Sequence, residues 1–127
     1  MKTLLLATTN PGKIQEIKAI LTGIPLRLLS PAEIDLRLTI DEISSSYFGN
    51  AQLKAQIYAN ASGLPALADD SGLEVFALGG KPGVHSHRYS PNAAADDRER
   101  CLYLLDNLKA HPQPWEARFV CAVVLYS

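Results

Sequence analysis

Two adjacent carboxylates, Asp69 and Asp70, end an apolar run in the stretch PALADDSG, residues 65–72. Charged side chains are rarely buried in such a run unless a partner neutralises them. Adjacent side chains on a strand point to opposite faces, so the two aspartates are predicted to have different roles. A carboxylate at a strand end suits Mg²⁺, which proteins hold through one or two carboxylates together with substrate phosphates. The plainer alternative is a turn in which an aspartate caps exposed N–H groups.

A second candidate is the turn TTNPGK, residues 8–13, which separates an apolar run from a helical pattern. Asn10 is a favourable N-cap residue. The N–H groups and the dipole of a helix N-terminus bind phosphate oxygens, and Thr8, Thr9 and Lys13 would add two hydroxyls and a cation. The turn lacks the spacing of a Walker A loop. Taken alone, this segment favours an ordinary capped helix with one surface lysine.

Three further sets of polar residues are weaker candidates. Glu42 could supply another carboxylate. Asn50 and Lys54 are four residues apart and share a helix face, a pattern more typical of a solvated surface than of a site. His85 and His87 lie in a loop rich in turn residues, without a third nitrogen or sulfur ligand nearby, so we expect no transition-metal site there.

The composition excludes several classes of protein. With 127 residues, of which 47% are hydrophobic and 20% charged, the chain suits one soluble α/β domain, residues 1–127. The formal net charge of -1 provides no basic field for nucleic acid. No apolar run approaches the roughly 20 residues of a membrane span. Cys101 and Cys121 lack metal-ligand spacing and predict two buried thiols in a reducing cytoplasm.

The elements alternate between strands and helices, which predicts an α/β fold in which helices flank a sheet. Residues 31–46 give no clear pattern. The predicted elements are a strand at 3–7, a helix from Pro11 that closes at Gly23, a strand at 26–30, a helix at 47–61, strands at 65–69 and 71–78, a loop at 81–92, a helix at 93–110 capped by Asn92, and a strand at 117–126.

The last strand has no polar face between Phe119 and Tyr126. A strand of this kind is expected to be buried on both faces, in the middle of a sheet. Chain termini usually lie at the surface. We therefore expect the chain to be the N-terminal part of a longer protein or a truncated paralogue, with its domain incomplete at the C-terminus.

Three segments, LLLATTNPGKIQEIKAIL, NAQLKA and PALADDSGLEVFALGGKPGVHSHRYS, resemble in order and spacing the inosine triphosphate pyrophosphatase family. The resemblance covers nearly the whole chain. It implies an elongated mixed α/β fold and Mg²⁺-dependent hydrolysis of a nucleoside triphosphate between its α and β phosphates. It also implies a preference for deaminated purine nucleotides (ITP, dITP and XTP) and a homodimer.

The resemblance also implies roles for individual residues. Asp70 corresponds to the general base and a metal ligand, and Glu42 to another metal-site carboxylate. Asp69 is expected to support this pair. The residues expected to contact the substrate are Thr8, Thr9, Asn10 and Lys13 of the triphosphate-binding turn, Lys54 and Ser71.

Two departures from the family pattern bear on activity. Gly49 occupies a position that is usually glutamate. The F-G-[YW]-D-P loop and a later lysine followed by S-H-R are missing, and Ser86-His87-Arg88 belongs to a different segment. One alternative is therefore a truncated, non-catalytic nucleotide-binding or oligomerising remnant. Another is a Maf-type pyrophosphatase acting on modified pyrimidine nucleotides, against which the segment DDSGLEVFALGG argues.

Overall fold

The structure, a computed structural model, describes residues 1–92 and 95–127. These residues divide into a first unit, residues 1–70 with 122–127, and a second unit, residues 71–121, and each unit is described by itself. The elements in chain order are β1 (Lys2–Leu6), α1 (Pro11–Ile20), β2 (Leu26–Leu29), a 3₁₀ turn (Ala32–Ile34), α2 (Tyr47–Ser62), β3 (Ala66–Val75), a 3₁₀ turn (Phe76–Leu78), β4 (Lys81–Pro82), a 3₁₀ segment (Gly83–Arg88), α3 (Asp97–Leu108) and β5 (Ala117–Tyr126).

In the first unit β1 lies between two parallel partners. It pairs with β2 from Lys2–Leu26 to Leu5–Leu29, and with β3 at Leu5–Ala66 and Leu6–Leu67. Parallel neighbours require crossover connections, which α1 and α2 provide. The carboxyl end of β1 therefore lies beside the first half of β3, and the turn that follows β1 lies near the residues that follow Leu67 within β3.

The core of the first unit packs α2 against β1 and β3 through mostly small side chains, which allow the helix to approach the sheet closely. Burial raises the pKa of Tyr58, the one large polar residue in this cluster. The buried members are Leu5, Ala7, Ala55, Tyr58, Ala59, Ala66 and Ala68.

The segment after β2, whose residue pattern is ambiguous, contributes a single 3₁₀ turn and then extended chain. Its alternate side chains, which are half-buried, pack against the core cluster. Hydrophobic alternation here reflects an extended segment lying over the core. The residues involved are Ile34, Leu36, Leu38 and Ile40.

Asn10 caps α1 as predicted. Its Oδ1 accepts hydrogen bonds from the N–H groups of Gly12, at 2.9 Å, and Lys13, at 3.3 Å. Ser46 caps α2 by accepting from the Gly49 N–H, and Gly63 ends that helix, as predicted from its position before Pro65. These local signals were sufficient because each acts through the adjacent backbone.

The predicted strands at 65–69 and 71–78 form one continuous strand, β3, which ends at Val75, and residues 76–78 form a 3₁₀ turn. The Ser71–Gly72 pair does not interrupt β3 because Gly72 serves close packing within the second unit. A Cβ atom at residue 72 would lie 2.1 Å from the Gly83 carbonyl oxygen. Ser86 also holds β3, since its Oγ accepts from the Leu73 N–H at 3.0 Å.

The predicted loop at 81–92 contains β4, which pairs antiparallel with the end of β3, and a 3₁₀ segment. The predicted cap of α3 was wrong. Asp96 caps this helix by accepting from the Glu99 N–H at 2.8 Å, whereas the Asn92 side chain donates to the Glu99 carboxylate. Residues 93 and 94, the predicted start of the helix, lie outside the described residues.

β5 pairs with β3 and has residues in both units. The apolar pattern of β5 is typical of a strand buried on both faces, whereas one face is uncovered in the described residues: its alternate side chains Phe119, Val123 and Leu125 are 83%, 61% and 63% exposed. Cys101 and Cys121 are also exposed, against the prediction of buried thiols. In the described part of the chain, no helix is long and apolar enough to cross a membrane.

Candidate functional site

The turn between β1 and α1 is held by its own polar side chains. The Thr8 hydroxyl accepts from the Asn10 N–H at 3.2 Å, and the Asn10 side chain caps the first turn of α1. Thr9 and Asn10 are exposed, and Thr8 is half-buried. An anion bound here would contact these side chains and Lys13, or would displace the Asn10 side chain from the helix N–H groups.

Lys13 points from the first turn of α1 toward the middle of β3. Its Nζ lies 2.8 Å from Oδ2 of Asp69, with 27% and 13% of the two side chains exposed. This ion pair gives one partner for the acidic pair that ends the apolar run. It also carries a lysine from the predicted triphosphate-binding turn to the carboxyl edge of the sheet.

Asp70 is 3% exposed and Asp69 is half-buried, and the two side chains leave β3 on opposite faces, as strand alternation predicts. Oδ2 of Asp70 accepts a hydrogen bond from Nδ2 of Asn50 at 3.1 Å. Asn50 is itself fully buried. The two aspartates therefore occupy different environments, one beside a cation and the other beside a neutral amide.

The next turn of α2 carries Lys54, whose Nζ lies 3.0 Å from Oε1 of Glu42. The two side chains are 17% and 27% exposed. The interpretation of Asn50 and Lys54 as a solvated face was wrong, because both side chains point into polar contacts of the first unit. The four-residue spacing was the correct signal, but it did not reveal which way the face pointed.

Electrostatically, the site combines three carboxylates with two lysines, all in the first unit. Asp69, Asp70 and Glu42 outnumber Lys13 and Lys54 by one formal charge. This residual negative charge favours binding of a cation. The two lysines provide positive charge that could shift to an anionic ligand.

The donor set also bears on the choice of metal. Among the residues that the structure describes, no group of three or more His, Cys, Asp or Glu side chains could hold a metal ion. Mg²⁺ does not require such a group, because one or two carboxylates plus phosphate oxygens and water usually complete its shell. Asp70 and Glu42 supply the oxygen ligands that a hard cation prefers, so they fit Mg²⁺ better than a transition metal.

Sequence reasoning did not find a cavity of about 330 Å³ beside this turn. Thr8, Thr9 and Ile14 line one side of it, and the segment 31–39 lines the other. The sequence carries no pattern that predicts this cavity, because the segment 31–39 has no regular secondary structure beyond one 3₁₀ turn.

In the second unit Ser71 is half-buried in β3, and His85 and His87 are exposed in the 3₁₀ segment. Ser86 has a structural contact, since its hydroxyl donates to the Gly83 carbonyl at 2.6 Å while it accepts from the Leu73 N–H. This contact gives Ser86 a role in fixing its own loop.

Comparison with known proteins identifies the family. The model of the Ham1 family matches residues 4–127. The chain belongs to the Ham1 family. This result confirms the resemblance to inosine triphosphate pyrophosphatases, because the curated relatives of this Ham1 chain are named dITP/XTP pyrophosphatases.

Two of these relatives illustrate the similarity. The protein of Thermus thermophilus is 49% identical over 122 residues, which make up 95% of this chain and 58% of the relative. The protein of Geobacter sulfurreducens is 45% identical over 128 residues, covering 100% of this chain and 64% of the relative. The chain thus spans about 60% of the length of the curated relatives it matches.

Solved structures confirm the predicted mixed α/β fold. A HAM1 protein from Coxiella burnetii matches with a TM-score of 0.86 at 36% identity, covering 98% of this chain and 63% of that one. A nucleoside-triphosphatase / dITP/XTP pyrophosphatase from Mycobacterium abscessus matches with a TM-score of 0.77 at 35% identity, covering 97% and 64%.

Proposed function

We propose that this Ham1 chain carries the phosphate-binding and catalytic residues of a nucleoside triphosphate pyrophosphatase. Its substrates would be deaminated purine nucleotides (ITP, dITP and XTP), and its products a nucleoside monophosphate and pyrophosphate. The observation that carries the proposal is the arrangement at the carboxyl edge of the sheet. There the buried Asp70 accepts from Asn50, and its neighbour Asp69 pairs with Lys13 of the first helical turn.

The substrate's triphosphate would lie against the turn between β1 and α1. Thr8, Thr9 and Asn10 offer short polar side chains there, and Lys13 offers a cation. Lys54 would contact the phosphates from α2, and Ser71 would contact the substrate from β3. To do so, Lys13 and Lys54 would move from their carboxylate partners to phosphate oxygens, which are also charged acceptors of hydrogen bonds.

In the chemical step Asp70 would orient a water molecule and accept its proton. The water oxygen forms a bond to a phosphorus of the α–β anhydride, and the bond from that phosphorus to the bridging oxygen breaks. The electron pair goes to the leaving phosphate group, and Lys13 and Lys54 stabilise the charge that develops there. Asp69 would support the site by keeping Lys13 at the sheet edge before substrate binds.

Mg²⁺ would be held by Asp70 and Glu42, whose oxygens fit it. When bound, it supplies charge neutralisation and orientation of the phosphates. Two further properties are proposed: a homodimer, which the family resemblance implies, and a cytoplasmic location, which the composition and the cysteine usage indicate.

A second function is favoured by one observation. Residue 49 is glycine, so the carboxylate that is usual at this position in the family that the sequence resembles is absent. The alternative is a non-catalytic nucleotide-binding or oligomerising protein that retains the phosphate-binding turn.

Pyrophosphate release distinguishes the two. Release from ITP, dITP, XTP, ATP and GTP is measured with Mg²⁺ for the wild type, Asp70→Asn and the matched control Asp106→Asn, which changes an exposed aspartate of α3. We expect release from the inosine and xanthosine nucleotides, loss of at least about 100-fold in Asp70→Asn, and wild-type rates in the control. A folded wild type that binds ITP but releases no pyrophosphate would support the alternative.

A further inference from the structure

Asn50 is a fully buried amide whose hydrogen-bonding groups all have partners within the first unit. Its Oδ1 accepts from the Ser44 N–H at 2.9 Å, and its Nδ2 donates to the Ser44 carbonyl at 3.2 Å. The second hydrogen of Nδ2 is donated to Asp70 at 3.1 Å. A buried side chain whose donors all make hydrogen bonds usually fixes the groups around it in one conformation.

The orientation of this amide follows from its partners. The Ser44 N–H is a donor and must face the oxygen of the Asn50 side chain, so Nδ2 is left to face the Ser44 carbonyl and Asp70. The Asn50 side chain thus bonds to both the N–H and the carbonyl group of Ser44, as the backbone of a neighbouring strand would. This pairing fixes the direction of the hydrogen bond to Asp70.

Ser44 is two residues beyond Glu42 in the segment that leads into α2. That segment lies close to the helix start because residue 49 has no side chain: a Cβ atom there would be 2.1 Å from the Ser44 Oγ. Through Ser44 and Asp70, one buried amide therefore joins the segment that carries Glu42 to the middle of β3.

We propose that Asn50 is a positioning residue for the hydrolytic reaction. It holds the Asp70 carboxylate in one orientation. Through Ser44 it also fixes the position of the Glu42 segment relative to Asp70. This inference rests on the proposed function. The residue touches neither substrate nor reacting atoms in the proposed mechanism, and its contribution passes through Asp70 and Ser44.

A merely structural role would make a different prediction. If Asn50 only fastened the start of α2, its loss would lower stability and leave the kcat of the folded protein unchanged. A positioning role lowers kcat more than it raises the KM for ITP, because the phosphate-binding turn and both lysines remain. Losses of this kind are typically about 10–100-fold for residues that orient a site carboxylate.

The experiment compares the wild type with Asn50→Ala and with Asn60→Ala, a matched control at an exposed asparagine of the same helix. Asn50→Leu keeps a similar side-chain volume without any hydrogen-bonding group and serves as a second variant if Asn50→Ala does not fold. The measurements are urea unfolding, kcat and KM for ITP with Mg²⁺, and amide hydrogen exchange at Ser44 without metal or nucleotide.

We expect kcat to fall at least about 10-fold in a folded Asn50 variant, with KM within about threefold of the wild type. We also expect exchange at the Ser44 N–H to be about 10-fold faster or more, because that group loses its acceptor. In Asn60→Ala neither quantity should change. A folded Asn50 variant with wild-type kcat, or a Ser44 amide that exchanges as fast in the wild type as in the variant, overturns the proposal.

Failure of the proposed function would be recognised separately, since the wild type itself would then release no pyrophosphate. In that case amide hydrogen exchange at Ser44 still tests whether Asn50 holds the Ser44 segment. Protection in the wild type and its loss in the variant would support the link, and its absence in the wild type would reject it.

Discussion

The ammonium group of Lys13 lies 2.8 Å from the Asp69 carboxylate, although 56 residues separate them in the chain. The parallel pairing of β1 with β3 explains this proximity, since β1 ends beside Leu67 and the turn after β1 therefore lies next to Asp69 in the middle of β3. A cation that the protein keeps beside a carboxylate is already desolvated in part before an anionic ligand arrives. Such a lysine is held near the ligand in advance, whereas a flexible surface lysine must first be ordered when the ligand binds.

Replacement of Lys13 by alanine is expected to raise the KM for ITP about 10-fold or more, because one charged contact to the phosphates is lost. Stability should fall by about 1 kcal/mol, since a largely covered Asp69 loses an ion-pair partner. Steady-state kinetics and urea unfolding measure the two effects. Lys2→Ala, at an exposed lysine of β1, is the control and should change neither. An unchanged KM in Lys13→Ala would remove Lys13 from the proposed phosphate contacts.

How much of this site the sequence could predict depends on the range of each interaction. Asn10, Pro11 and Gly63 act on the adjacent backbone, so the start of α1 and the end of α2 were correctly predicted. The opposite orientations of Asp69 and Asp70 follow from strand alternation alone. These features need no knowledge of the tertiary fold.

The features that sequence reasoning missed depend on contacts distant in the chain. Asn50 looks like a surface residue beside Lys54 until the segment around Ser44 and Asp70 of β3 cover it. Ser71 and Gly72 look like a break between strands until the backbone of Gly83 packs against residue 72. Asp96 replaced Asn92 as the cap of α3 because both are favourable N-cap residues and local preference could not choose between them.

A pH dependence of stability is expected from Glu33, outside the proposed site. Its hydrogen bond with Lys18, followed by its bonds with Ser30, lowers the pKa of Glu33 from 4.5 to about 2. Because the folded-state pKa is the lower one, the stabilisation is complete above pH 4.5 and is lost as the pH falls toward 2.

The measurement is the difference in urea midpoint between the wild type and Glu33→Gln at pH 6 and at pH 2.5. We expect the wild type to be more stable at pH 6 and the difference to shrink at pH 2.5, because Glu33 is then protonated in the unfolded protein and most of the pH-dependent stabilisation is lost. Glu16→Gln, which changes an exposed glutamate of α1, is the control. A difference between the wild type and Glu33→Gln that stays constant over this range would contradict the assignment.

Gly49 and Ser44 are expected to be energetically coupled. An added Cβ at residue 49 would lie 2.1 Å from the Ser44 Oγ and 2.8 Å from its Cβ, so Gly49→Ala should destabilise the protein by about 1–3 kcal/mol. This direction is opposite to helix propensity, which favours alanine over glycine by about 1 kcal/mol inside a helix. Urea unfolding of Gly49→Ala, Ser44→Gly and the double variant measures the coupling.

Removal of the Ser44 side chain should relieve most of the clash, leaving the Ser46 Oγ at 2.9 Å as the nearest atom. In the Ser44→Gly background, Gly49→Ala should therefore be neutral or stabilising, which gives a coupling energy of at least about 1 kcal/mol. Equal effects of Gly49→Ala in both backgrounds would show that Ser44 does not occupy this space. If the coupling is found, a glutamate at residue 49, usual in the family that the sequence resembles, would require the simultaneous change Ser44→Gly. Gly49→Glu alone would then disturb the segment that Asn50 holds against Asp70.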